Sequence, residues 1–221
     1  MVDIFDEVSE DLRNERALTL AKRYGGLLLI AMLLVLAGIG AQQYYTSYQA
    51  KQADKAAARY LAITGALDAP GARPAAAQLT QAAQALTSFA ATAPEGYKTL
   101  ANLRAAGLYA AGGQAAQAAA LWNGITADDH ADKLLRDLAT LLWAQHALGT
   151  TPDADVLAKL QPLTQSTNPY HALARETQAL TYLHEGNTGM AKALFSQIAN
   201  DPNAPDGVRN RAGGLLAKIN G

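Results

Sequence analysis

The sequence predicts an all-α fold in which one membrane-spanning helix is followed by an array of helical hairpins. Three observations lead to this prediction: a long uncharged run near the N-terminus, a composition rich in Ala, Leu and Gln but poor in Val and Ile, and an internal repeat. Ala, Leu and Gln favour helices. No alternating apolar run is long enough to predict a strand.

The membrane-spanning helix is predicted from residues 24–50, which contain no charged side chain. Crossing a bilayer of roughly 30 Å requires on the order of 20 helical residues, and the apolar part, residues 25–45, meets that length. A buried core helix would carry a polar stripe, which this run lacks. A cleavable signal peptide has a short basic leader, whereas the first half of the tail carries five acidic side chains. We therefore predict a retained anchor, with cleavage after Gly40 as the weaker alternative.

Basic residues beside the span predict its orientation. Four of them precede the N-terminal end of the span: Arg13, Arg16, Lys22 and Arg23. On the other side the first basic residue is Lys51, beyond three tyrosines that resemble an interfacial aromatic belt. Because basic residues concentrate on the cytoplasmic side, we predict a cytoplasmic tail at 1–24, a transmembrane helix at 25–45 and an outer domain at 46–221. Two further basic residues soon after Lys51 weaken the asymmetry, so the opposite orientation stays open.

The outer domain contains an internal repeat with a displacement of 73 residues. This displacement is about twice the 34-residue length of a tetratricopeptide hairpin. Both copies follow the tetratricopeptide spacing of small, aromatic, Gly, Ala, aromatic and aliphatic residues. The first copy has Ala106, Tyr109, Gly113, Ala118, Trp122 and Ile125, and the second has Ala179, Tyr182, Gly186, Ala191, Phe195 and Ile198. The predicted fold class is therefore all-α, with a single transmembrane helix followed by a tetratricopeptide-like helical-hairpin solenoid.

Each position of the repeat has a physical reason. The glycine ends the first helix in the left-handed conformation, which costs other residues free energy. The small alanines let two helices approach closely, and the aromatic side chains fill the space beside them. Where the tetratricopeptide pattern favours Trp, this chain has Asn102 and Arg175, so we interpret it as a divergent member.

Periodicity and helix-breaking residues predict the boundaries of the helices. The first, at 50–66, is either separate from the span or continuous with it. The next three helices are predicted at 75–91, 98–111 and 115–126. Pro162 disturbs the end of a helix at 153–166. The remaining helices are predicted at 131–148, 170–185, 188–199 and 205–219, the last serving as a polar cap.

Composition and motifs argue against several classes of function. Basic and acidic residues are nearly balanced, 18 against 19, so nothing indicates the concentrated basic face that binds nucleic acid. The chain has no cysteine, which excludes disulfides and thiolate catalysis. The four histidines lack metal-ligand spacing. We predict no metal site, no cofactor and no small-molecule substrate.

Two groups of titratable residues are candidates for an active site, but each has a structural explanation. Asp128, Asp129 and His130 lie in a loop between predicted helices, where Asp commonly caps the next helix. His184 and Glu185 end a helix, where a histidine interacts favourably with the C-terminal carbonyls. No nucleophile, base and orienting group occur together, so we predict no catalytic residue and no enzymatic activity.

Helical arrays generally bind proteins through the surface formed by the first helix of each hairpin. Here those helices are predicted at 98–111, 131–148 and 170–185. The candidate protein-binding residues on them are Arg104, Gln145, Arg175 and Gln178. The alternative is that each is an ordinary solvated surface residue.

The chain resembles the YfgM-like ancillary subunits of the SecYEG translocon over nearly its whole length. Three segments carry the resemblance: LAKRYGGLLLIAMLL at the span, GYKTLANLRAAGLY from Gly96, and ALTYLHEGNTGMAKALFSQI from Ala179. The resemblance implies a single-pass protein of the bacterial inner membrane, with residues 46–221 as a periplasmic tetratricopeptide-like repeat domain. It implies membrane lipid and proteins as partners, namely the Sec translocon, periplasmic chaperones or exported chains. A tethered scaffold for another envelope complex, such as division or wall machinery, stays open.

Overall fold

The computed structural model describes residues 4–221, except for the side chains of residues 4–21, 25 and 28. The described residues form helices joined by turns, with no strand among them, which confirms the predicted all-α class. The helices are α1 Ile4–Thr64, α2 Ala76–Ala90, α3 Glu95–Ala111, α4 Ala115–Ala127, α5 Lys133–Ala147, α6 Asp153–Leu160, α7 His171–His184, α8 Thr188–Ala199 and α9 Asp206–Asn220. The chain divides into two compact units, Met1–Asp54 and Lys55–Gly221.

The first unit contains a candidate membrane span. Among the described residues, one helical stretch is long and apolar enough to cross a membrane, and it lies in α1 from Leu29 onward. The large apolar side chains described between Leu27 and Ile39 are all more than half exposed. A continuous exposed apolar surface of this kind is unfavourable in water and favourable in lipid. The helix predicted at 50–66 is not separate, because α1 continues without a break to Thr64.

The second unit, Lys55–Gly221, confirms the predicted turns of the repeat. Gly113 and Gly186 adopt φ angles of +80° and +82°, which only glycine adopts without strain. After α3, the amide of Gln114 donates to the carbonyl of Tyr109 at 2.8 Å, and the amide of Asn187 donates to the carbonyl of Tyr182 at 2.8 Å after α7. These bonds satisfy carbonyls that the helix ends would otherwise leave without a partner.

The interior of the second unit confirms the register of the repeat. Ala118 and Ala191 are both fully buried, and their aromatic neighbours Trp122 and Phe195 are 1% and 0% exposed. Matching positions of the two copies thus have the same burial. Close packing of this kind makes each side chain sensitive to a change in volume.

The hairpin formed by α5 and α6 departs from the sequence prediction. A helix was expected at 153–166, but α6 ends at Leu160 and a single 3-10 turn covers Gln161–Thr164. Pro162 explains the difference, because proline has no amide hydrogen and its ring clashes with the carbonyl four residues earlier. The 3-10 turn directs Leu163 into a buried cluster with Val156 and Leu160.

Candidate protein-binding surface

The first helices of successive hairpins lie side by side within the second unit. α3 contacts α5, α5 contacts α7, and α7 contacts α9. A second helix packs against the first helix of its own hairpin and against the helix that follows it. Thus α4 contacts both α3 and α5, and α8 contacts both α7 and α9. The helices predicted to form one common surface, α3, α5 and α7, are therefore neighbours in the structure. We call the solvent-facing side of α3, α5 and α7 the stacked surface.

Two of the four candidate residues make contacts within their own domain. Arg104 of α3 forms an ion pair with Asp68, a turn residue that follows α1. The pair lies near Tyr60, whose pKa is raised mainly by burial, with opposing effects from Arg104 and Asp68. Arg175 of α7 donates from Nε to the carbonyl of Thr164 at 3.2 Å. Arg104 and Arg175 thus hold connecting segments to the first helices.

The other two candidates are glutamines on α5 and α7. Gln145 is exposed on α5, and Gln178 is half-buried on the neighbouring helix α7. Glutamine side chains in such positions offer both a donor and an acceptor to a partner. Gln145 and Gln178 therefore remain the predicted contact residues of the stacked surface.

The Asp128 loop has a structural role. Asp128 accepts a hydrogen bond from the amide of His130 at 3.0 Å and pairs with Lys98 at 3.0 Å. Lys98 also pairs with Glu95, and the two hydrogen-bonded carboxylates raise the pKa of its ammonium group. The bond from Lys98 in turn lowers the pKa of Asp128. This loop therefore joins α3 to the end of α4.

Asp129 and His184 are engaged in similar contacts. Asp129 forms an ion pair with Arg136 at 3.0 Å. Nδ1 of His184 lies 2.9 Å from a carboxylate oxygen of Asp153, which joins the end of α7 to the start of α6. Within the described part of the chain, no group of three or more His, Asp or Glu side chains is placed to hold a metal ion.

A groove between α4 and α5 is a feature that the sequence interpretation missed. It encloses about 230 Å³ and is lined by Ala115, Ala116, Ala119, Trp122, Trp143, His146, Ala147, Thr150 and Thr151. The imidazole of His146 stacks on the indole of Trp122, with ring centroids 4.9 Å apart. Nζ of Lys159 lies 4.0 Å from the ring centroid of Trp143. We call this site the tryptophan groove.

The family model described as tetratricopeptide repeat-like domain matches residues 21–209, which is most of the chain. The chain belongs to this family. The match includes the candidate span as well as helices α2 to α8. No curated protein and no solved structure matches the chain. Tetratricopeptide-like domains generally bind other proteins and are generally not catalytic.

The tryptophan groove arises at a position where the two tetratricopeptide-like copies differ. Trp122 and Phe195 occupy the same place in the repeat, but only Trp122 carries a polar N–H. Nε1 of Trp122 is buried and has no hydrogen-bond partner among the described residues. The substitution of Trp for Phe between the copies was visible in the sequence, yet the missing partner depends on tertiary packing.

Proposed function

We propose that this protein is a membrane-anchored protein-binding adaptor, an ancillary subunit of the Sec translocon that assists exported proteins together with periplasmic chaperones. The observation that carries the proposal is the stacked surface of α3, α5 and α7 in a chain that also contains a candidate membrane span. A binding surface that is tethered to the membrane would meet exported chains as they leave the translocon. The resemblance to YfgM-like translocon subunits supports this choice of partner.

The proposed topology places residues 1–24 in the cytoplasm, 25–45 in the inner membrane and 46–221 in the periplasm. We expect a reporter enzyme that is active only in the periplasm to be active when fused after Gly221. The same reporter fused after Arg23, before the span, should be inactive. The excess of basic residues before the span supports this orientation. A silent fusion after Gly221 with full expression would contradict it.

Site-specific cross-linking tests the proposed partner. A photo-cross-linking amino acid at Gln145 or Gln178 is expected to capture translocon subunits, exported chains or periplasmic chaperones in intact membranes. The matched control is Gln84, which is exposed on α2 and lies outside the stacked surface. Mass spectrometry of the adducts identifies the captured proteins.

The alternative function, a scaffold for another envelope complex, has a different outcome in the same experiment. Capture of division or wall proteins at Gln145 and Gln178 would support the scaffold and contradict the translocon proposal. Equal capture at Gln84 would contradict the assignment of the stacked surface.

A further inference from the structure

The size of the tryptophan groove limits its occupant to about one side chain. Pockets for drug-sized ligands enclose about 300 to 1,000 Å³, whereas this groove encloses about 230 Å³. Its apolar lining comes from small alanines, and its aromatic lining comes from Trp122 and Trp143. An aromatic or large aliphatic side chain is the kind of group that gains most from contact with such walls.

A positive charge lies beside the groove. Lys159 places Nζ over the ring of Trp143 and contacts the side-chain oxygen of Asn123. Burial lowers the pKa of this ammonium group. No salt bridge joins Lys159 to a carboxylate in the described part of the chain. An unpaired cation beside an apolar groove complements a ligand that carries a carboxylate.

We propose that the tryptophan groove binds an extended segment of a partner protein in which an aromatic residue is followed by an acidic one. The aromatic side chain fills the space between α4 and α5. The acidic side chain pairs with Lys159. This site lies between α4 and α5, and it goes beyond the translocon role.

Intrinsic fluorescence measures binding directly, because the two tryptophans of the chain both line the groove. The full-length protein in detergent micelles is titrated with an acetylated, amidated hexapeptide that contains a central Phe-Asp and no Trp. We expect a saturable change in emission. Peptides with Ala-Asp or Phe-Asn in the centre should bind about tenfold and about fivefold more weakly, since they lose the aromatic contact or the charge.

Variants of the protein assign the binding to the groove. Ala116→Leu fills the groove and should abolish binding. Gln117→Leu places the same side chain at the next position of α4, which is exposed and does not line the groove, so this variant should bind as the wild type does. Lys159→Gln should lose the preference for Asp over Asn.

Three outcomes would overturn the proposal. One is no saturable change with the Phe-Asp peptide at millimolar concentration, and another is equal binding by the Ala116→Leu and Gln117→Leu variants. The third is equally tight binding of octanoate with no preference for Phe, which would assign the groove to acyl chains. Because the titration contains no translocon, it succeeds or fails independently of cross-linking at Gln145 and Gln178.

Discussion

Replacing Phe195 by alanine is expected to lower the free energy of unfolding by about 3 to 5 kcal/mol. Phe195 is fully buried on α8 and belongs to a cluster with Ala191, Ile198 and Val208. Removing its ring leaves a cavity that rigid helices on both sides fill only in part. Urea unfolding of the full-length protein in micelles, followed by circular dichroism, measures the change.

Two further variants separate the effect of the cavity from that of substitution as such. Phe195→Leu keeps most of the volume and should cost less than about 1.5 kcal/mol. Met190→Ala changes an apolar residue of the same helix that is 47% exposed, so its effect should stay within about 0.5 kcal/mol. If Phe195→Ala were as stable as Met190→Ala, the register of the 73-residue repeat would be wrong.

The helices and their turns were predictable because local signals fix them. Gly113 and Gly186 end helices at the predicted places, since a left-handed residue there needs glycine. Ala118 and Ala191 are buried as predicted, because their spacing places them where two helices meet. Pro162 was recognised as disturbing a helix, but the sequence did not show that α6 would end at Leu160.

The pairings between helices were not predictable, because periodicity assigns a side chain to a face but does not identify its partner. Arg104 was proposed for protein binding, and the structure places it against Asp68, 36 positions away in sequence. The unpartnered Nε1 of Trp122 likewise depends on how α4 meets α5. Arg211 belongs to the last helix, which was predicted to serve as a polar cap. Its side chain is 56% exposed, yet its guanidinium reaches across to α7.

Replacing Arg211 by methionine is expected to lower the free energy of unfolding by about 2 to 4 kcal/mol. Nε and Nη2 of Arg211 donate to the two carboxylate oxygens of Glu176 at 2.8 and 2.7 Å, and this pairing raises the pKa of the guanidinium. Glu176 is 7% exposed, so the variant leaves a carboxylate buried without its partner. Removing one member of a fully buried pair costs about 3 to 5 kcal/mol; we expect slightly less because solvent reaches Arg211. Urea unfolding measures the loss.

The double variant Glu176→Met with Arg211→Met distinguishes a desolvated charge from a lost attraction. If the cost of Arg211→Met comes mainly from the uncompensated carboxylate, removing that carboxylate as well should restore most of the stability. The reason is that buried ion pairs often stabilise a protein no more than apolar side chains of similar volume do. The pair would then fix the position of α9 against α7 without adding much net stability. A double variant that is less stable than Arg211→Met alone would contradict this explanation. It would show that the carboxylate of Glu176 costs little when Arg211 is absent, so that Arg211→Met loses the attraction itself.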